Sequence, residues 1–198
     1  MSNIIDKLGE LFREFPGIGP RQARRFVYFL LRQDSSYVKN LVESVGELRE
    51  SVSECKSCYR FFIGKSELCQ ICTDPNSDKS ILLVVEKDID LENVRKTGKY
   101  LGQYFVLGGL LPILEKNPES RIRIHELKER LKTDKEIREV ILAISTNPIG
   151  DNTVDYLRNE ILKFRNLDIS TLGRGLSTGT ELEYSDSTTL SYALENRR

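Results

Sequence analysis

The chain has 198 residues, 39% hydrophobic and 30% charged, with 30 lysines and arginines balanced by 30 aspartates and glutamates. That is an ordinary globular composition, with room for one medium domain or roughly two to three small modules. A formal net charge of zero excludes indiscriminate nucleic-acid binding by the whole surface, so any DNA contact must come from a local basic face. Residues Met1 to Lys7 carry no basic n-region or long apolar core, and the longest apolar run, Ile81 to Val85, is far too short to span a bilayer. These features predict a cytoplasmic, reducing setting without membrane contact.

Ile4, Ile5, Leu8, Leu11 and Phe12 recur at helical spacing and predict a first amphipathic helix. Phe15-Pro16-Gly17-Ile18-Gly19-Pro20 interrupts it, and Pro20 suits the first position of a second helix. That helix has an apolar stripe of Ala23, Phe26, Val27, Leu30 and Leu31 and an opposite face bearing Arg21, Arg24, Arg25, Tyr28 and Arg32. A third helix is predicted to turn Val38, Leu41, Val42, Val45 and Leu48 inward, so residues 1–53 read as an all-helical module. The interruption is a helix-hairpin-helix signal. Glycines let the backbone turn tightly and approach a phosphate, with the amides and dipole of the following helix aimed at the anion. Gly17, Ile18, Gly19, Arg21, Arg24 and Arg25 are therefore the candidate DNA contacts, reading backbone rather than sequence. The plain alternative is a helix–helix turn with a solvated basic face. The hairpin also suits part of a subunit interface.

All four cysteines fall in the next segment, residues 54–76, as Cys55-Lys-Ser-Cys58, ten residues, then Cys69-Gln-Ile-Cys72. Two CxxC units at this separation can place four thiolates tetrahedrally about one zinc ion, a closed and therefore structural site. Two disulfides or four unrelated buried thiols are the alternatives. The insert is too short for a core of its own, so metal would supply its folding energy.

After the polar linker Asp74 to Asp78 the pattern changes. Ile81 to Val85 reads as a strand buried on both faces, followed by a helix over 88–97 and a strand over 103–107. Gly108-Gly109 turns the chain toward a helix over 122–131, a strand within 139–145, a helix over 153–163 and a strand near 168–172. Strands alternating with helices predict a mostly parallel α/β sheet over residues 77–170. Glu86 closes the first strand at the carboxyl edge, where sites in open α/β sheets form, and Asp151 follows a later strand. Two carboxylates there suggest a magnesium site, with solvated loop acids as the alternative. Asp88, Asp90 and Glu92 read as the solvent face of the next helix. His125, the one histidine, reads as structural, and Gly173 to Gly179 lacks the Gly-Lys-Ser/Thr ending of a phosphate loop. Residues 171–198 form a short C-terminal segment with a final helix near 187–195 and suit an oligomer interface.

The order of these pieces, together with Phe15-Pro-Gly-Ile-Gly19, Val84-Val-Glu86, Tyr104 to Leu111, Thr146-Asn-Pro148, Arg174-Gly-Leu176 and Leu182-Glu-Tyr184, resembles the RecR family of bacterial recombination mediators. The resemblance implies a multi-module α/β protein: a helix-hairpin-helix module, a small four-cysteine zinc finger, a Toprim domain and a short C-terminal segment. It implies a ring-like homo-oligomer, a dimer or tetramer, acting with RecO and sometimes RecF to help load RecA at single-strand gaps. Catalytic Toprim enzymes pair the strand-end glutamate with an Asp-x-Asp motif. Here that segment reads Ile149-Gly150-Asp151, so the first acid is missing. The reading is a non-catalytic DNA-repair adaptor. Its rival is a metal-dependent Toprim nuclease, primase or topoisomerase-like enzyme. A zinc-ribbon regulator is disfavoured because no element reads as a base-contacting recognition helix.

Overall fold

An aliphatic run such as Ile81 to Val85, half-buried at Ile81 and fully buried from Leu82 on, needs a strand with neighbours on both edges and cover on both faces. The computed structural model, which describes residues 3–163 and 165–197, gives Ile81 to Val85 that position. They belong to β3 (Asp78–Val85), which is flanked by β4 (Gly102–Val106) and β5 (Glu139–Ala143); β6 (Asp168–Thr171) completes the order β4-β3-β5-β6. Every pairing is parallel, with Leu83 level with Tyr104 on one side and Ile141 on the other.

Alternation along the strands sends Leu82, Val84, Phe105 and Leu142 to one face, where they pack with Leu127, Leu131, Leu157 and Ile161. Those partners come from α6 (Ile124–Thr133) and α7 (Pro148–Leu162). Leu83, Val85, Tyr104 and Val106 take the other face with Leu91 of α5 (Asp88–Lys96). The sheet and its helices lie in a unit spanning residues 53–198, which also contains the cysteine segment; residues 1–52 form a second unit.

In the smaller unit, α1 (Ile4–Arg13) starts on an Asn3 cap whose side chain accepts from the Asp6 amide at 3.0 Å. Helix α2 (Pro20–Leu31) follows a turn in which Gly17 sits at φ +77°, a left-handed conformation that favours glycine. Ala23 and Val27 are buried, and Phe12 meets Phe26 edge-on at 5.6 Å. The inward face predicted for α3 (Ser35–Ser51) is not found. No α3 residue is buried, and Val42 and Leu48 are 66% and 60% exposed, as is Leu31 of α2 at 63%. Helical periodicity identifies a face that needs cover, but not that the same chain supplies it. Among the described residues no helix is long and apolar enough to cross a membrane.

Helix α7 begins five residues before the expected Thr153. The Asn147 carboxamide accepts from the Ile149 and Gly150 amides at 3.1 and 2.9 Å, and Pro148 occupies the first turn, so the start signal is the cap rather than the apolar period. Gly150 is then forced by space: a Cβ there would lie 1.8 Å from the Ser145 carbonyl oxygen. Gly19, at φ −81° with open space where a Cβ would go, is under no such constraint. We therefore expect Gly150→Ala to lower stability in urea unfolding by about 1–3 kcal/mol, the cost of overpacking a tight contact. Gly19→Ala should change it by less than ~1 kcal/mol.

Candidate metal centre and nucleic-acid interface

The cysteine segment folds as a short ribbon, β1 (Val52–Glu54) with β2 (Phe61–Ile63), followed by a single helical turn, α4 (Gln70–Thr73). The ribbon carries the first CxxC and α4 the second. Their four Sγ atoms lie within 4.8 Å of one another, with Cys55 and Cys72 at 3.7 Å and Cys58 and Cys69 at 3.6 Å. A tetrahedral zinc with Zn–S bonds of about 2.3 Å requires sulfur–sulfur edges of about 3.8 Å. Disulfides require about 2.05 Å, and all four cysteines are free. Cys55, Cys58 and Cys69 are fully buried. The contact with Cys69 pushes the Cys58 thiol up, and the same contact pulls the Cys69 pKa down. Sulfurs packed this closely ionise together only with a cation among them. The four cysteines are a group fit to hold a metal ion.

The ribbon is docked on the sheet. The Cys58 carbonyl accepts from the Val106 amide of β4 at 2.8 Å, and the Tyr59 ring packs on Phe105 at 5.3 Å. Arg60 pairs with Glu92 at 2.6 Å, Arg123 with Glu54 at 2.5 Å, and the Phe61 amide donates to Asp88 at 2.7 Å. Asp88 and Glu92, expected on a solvent face, are thus fasteners between ribbon and α5. Asp90 caps the same helix through the Lys87 amide at 3.0 Å. Helical charge spacing alone does not show that a ribbon from about 30 residues earlier lies over this face.

Glu86 and Asp151 have separate partners. Glu86 is 7% exposed at the end of β3; it accepts from the Ser145 hydroxyl at 2.9 Å and pairs with Lys87 at 2.6 Å. Asp151, in the first turn of α7, pairs with Arg174 at 2.5 Å, and the Arg174 guanidinium lies 5.1 Å over the Tyr192 ring of α8 (Ser187–Glu195). Asp151 raises the Arg174 pKa further, chiefly through that hydrogen bond. Asn147, Asp151, Thr171, Arg174, Thr189 and Tyr192 line a cleft of about 610 Å³. Arg174 lies in the glycine-rich stretch read as a plain loop, and only its ionic partner reveals its role. His125 is exposed on α6.

On the smaller unit, Arg21, Arg24 and Arg25 are all exposed on α2, which starts from Gly19 without a side-chain cap. Gly9, Arg13, Pro20, Arg21 and Arg24 border a groove of about 460 Å³ between α1 and α2. Arg13 is held by Glu10 at 2.7 Å.

A helical hairpin unit, a four-cysteine metal module and a parallel four-stranded sheet with Glu86 at its carboxyl edge define a multi-module α/β protein of Toprim type. Comparison with known proteins agrees: a Toprim domain model matches residues 80–173, a RecR helix-hairpin-helix model residues 5–48, and a RecR C-terminal model residues 175–198. The chain is 39% identical to a recombination protein RecR of Frankia casuarinae, over 100% of this chain and 96% of that protein. It is 39% identical to that of Bacteroides fragilis over 99% and 94%, and 36% identical to that of Bifidobacterium adolescentis over 98% and 95%. The chain belongs to the RecR family of recombination proteins.

Removing one ligand should remove the metal. We expect Cys58→Ser and Cys72→Ser to reduce bound metal, measured by elemental analysis, from one ion per chain to a small fraction. The thermal midpoint should fall by several degrees, since each kcal/mol is worth about 2–4 °C at this chain length.

Proposed function

We propose that this protein is a non-catalytic recombination mediator in DNA repair. It binds the DNA backbone, assembles as a ring-like homo-oligomer, and works with RecO, and with RecF, to help load RecA at single-strand gaps. Its cysteine metal is structural zinc: four sulfur donors and no open position suit that ion and leave no place for substrate.

The observation that carries the DNA reading is the hairpin. Gly17 at φ +77° turns the chain into α2, whose cap residue Gly19 has no side chain to bond the first-turn amides, and three exposed arginines stand on the same helix. Such a site recognises phosphate. With zero net charge, affinity rests on few contacts, so one hairpin binds weakly and several on one oligomer bind well. The exposed apolar row on α3 supports self-assembly.

The rival metal-dependent enzyme needs carboxylates available to a catalytic cation. Ile149 stands where the first acid of Asp-x-Asp belongs, and Glu86 and Asp151 are already paired with Lys87 and Arg174. A magnesium ion held by Glu86 and Asp151 would displace both cations, and its use would be to order a loop or partner surface.

Each phosphate neutralised contributes about −0.9 to the slope of log affinity against log salt on duplex DNA. Arg21→Ala combined with Arg24→Ala should weaken DNA binding steeply, flatten that slope, and leave sequence preference and oligomer size unchanged. A double variant that keeps its oligomer and binds like the wild type contradicts the assignment.

Glu86→Ala should leave DNA binding nearly intact. Magnesium-dependent strand cleavage by the wild type, lost in Glu86→Ala, would establish the enzyme instead.

A further inference from the structure

Arg130, on α6, is 9% exposed, far from the cysteines in sequence and without part in any feature read from it. Its guanidinium donates to the Ser57 carbonyl at 2.7 Å, to the Tyr104 carbonyl at 3.4 Å, to the Gln103 side chain, and to Asp134 at 3.0 Å. Ser57 lies inside the first CxxC, between Cys55 and Cys58, while Gln103 and Tyr104 belong to β4. One buried cation therefore grips the cysteine loop and the edge strand at once. One residue further along the loop, Cys58 accepts from Val106 of the same strand at 2.8 Å.

We infer that Arg130 is a metal-retention residue, whose guanidinium ties occupancy of the four-cysteine site to the order of strand β4. The inference rests on the reading that these cysteines hold zinc. Two physical effects support it. Metal holds the 55–58 loop closed, and an open loop takes acceptors away from Arg130 and from the Val106 amide, which is costly at a buried site. A zinc ion with four thiolates also carries a net charge of about −2, which a neighbouring buried cation offsets. A mere α6 ion pair with Asp134 would explain neither the Ser57 bond nor the contacts to β4. Groups that orient metal ligands from behind typically contribute about 10–100-fold to affinity.

The test is zinc affinity of the full chain, measured by competition with a chromophoric chelator. Arg130→Gln should hold zinc about 10–100-fold more weakly with its circular dichroism retained. Asp134→Ala, which spares the Ser57 bond, should change affinity less than threefold. Because Arg130→Gln can fail to fold, hydrogen exchange on the wild type gives a second reading. Removing zinc should cost protection at residues 103–107 together with residues 55–72. Wild-type affinity in a folded Arg130→Gln protein, or β4 protection unchanged by zinc removal, overturns the inference. A wild type that binds no zinc overturns the metal reading first, and this inference with it.

Discussion

The edge of a parallel sheet is a row of backbone groups that must be paired or covered, and the structure is arranged around one such edge. Strand β4 is outermost in the order β4-β3-β5-β6, and its Val106 amide is satisfied by the Cys58 carbonyl of the cysteine ribbon. An uncovered edge of this kind is a template for unwanted pairing. The ribbon covers the edge, and the sheet supplies the apolar surface that the ribbon lacks, through Phe105 against Tyr59. Neither piece is complete without the other. Arg60, Arg123 and Arg130 fasten them with ionic and carbonyl contacts at separate points.

In this arrangement the four cysteines form a closed group fit to hold a metal ion. Three of its four ligands are fully buried and closed to substrate, and the acids at the carboxyl edge of the sheet have their own cations in Lys87 and Arg174. What remains outward-facing is an arginine-bearing helix start at Gly19 and an apolar row on α3. A neutral chain can bind a polyanion only by concentrating charge in this way, and the low affinity of one small patch is raised by repetition rather than enlargement.

The elements most legible in the sequence are those specified by short-range chemistry. Four cysteines in two CxxC units fix a ligand set, an aliphatic run such as Ile81 to Val85 fixes a doubly covered strand, and Gly17 between prolines fixes a turn. Less legible are features set by what lies across the fold. The acids Asp88 and Glu92 look solvated until the ribbon is laid over them. Arg130 and Arg174 look like surface charge until their distant partners appear. Periodicity puts the start of α7 too late because the Asn147-Pro148 cap precedes the apolar pattern, and Gly150 is required by a carbonyl that only the folded turn brings near. The apolar stripe on α3 shows the opposite limit: periodicity predicts an inward face, and no α3 residue is buried.

The central claim is that the cysteine ribbon and the sheet are one cooperative body held closed by metal. Scanning calorimetry of the full-length protein across a series of buffered free-zinc concentrations tests it most directly. The account predicts that the transition melting the sheet rises with zinc, gaining about 1.4 kcal/mol per tenfold increase once zinc exceeds its dissociation constant. A sheet transition that stays fixed while a separate, smaller transition follows the zinc would contradict it.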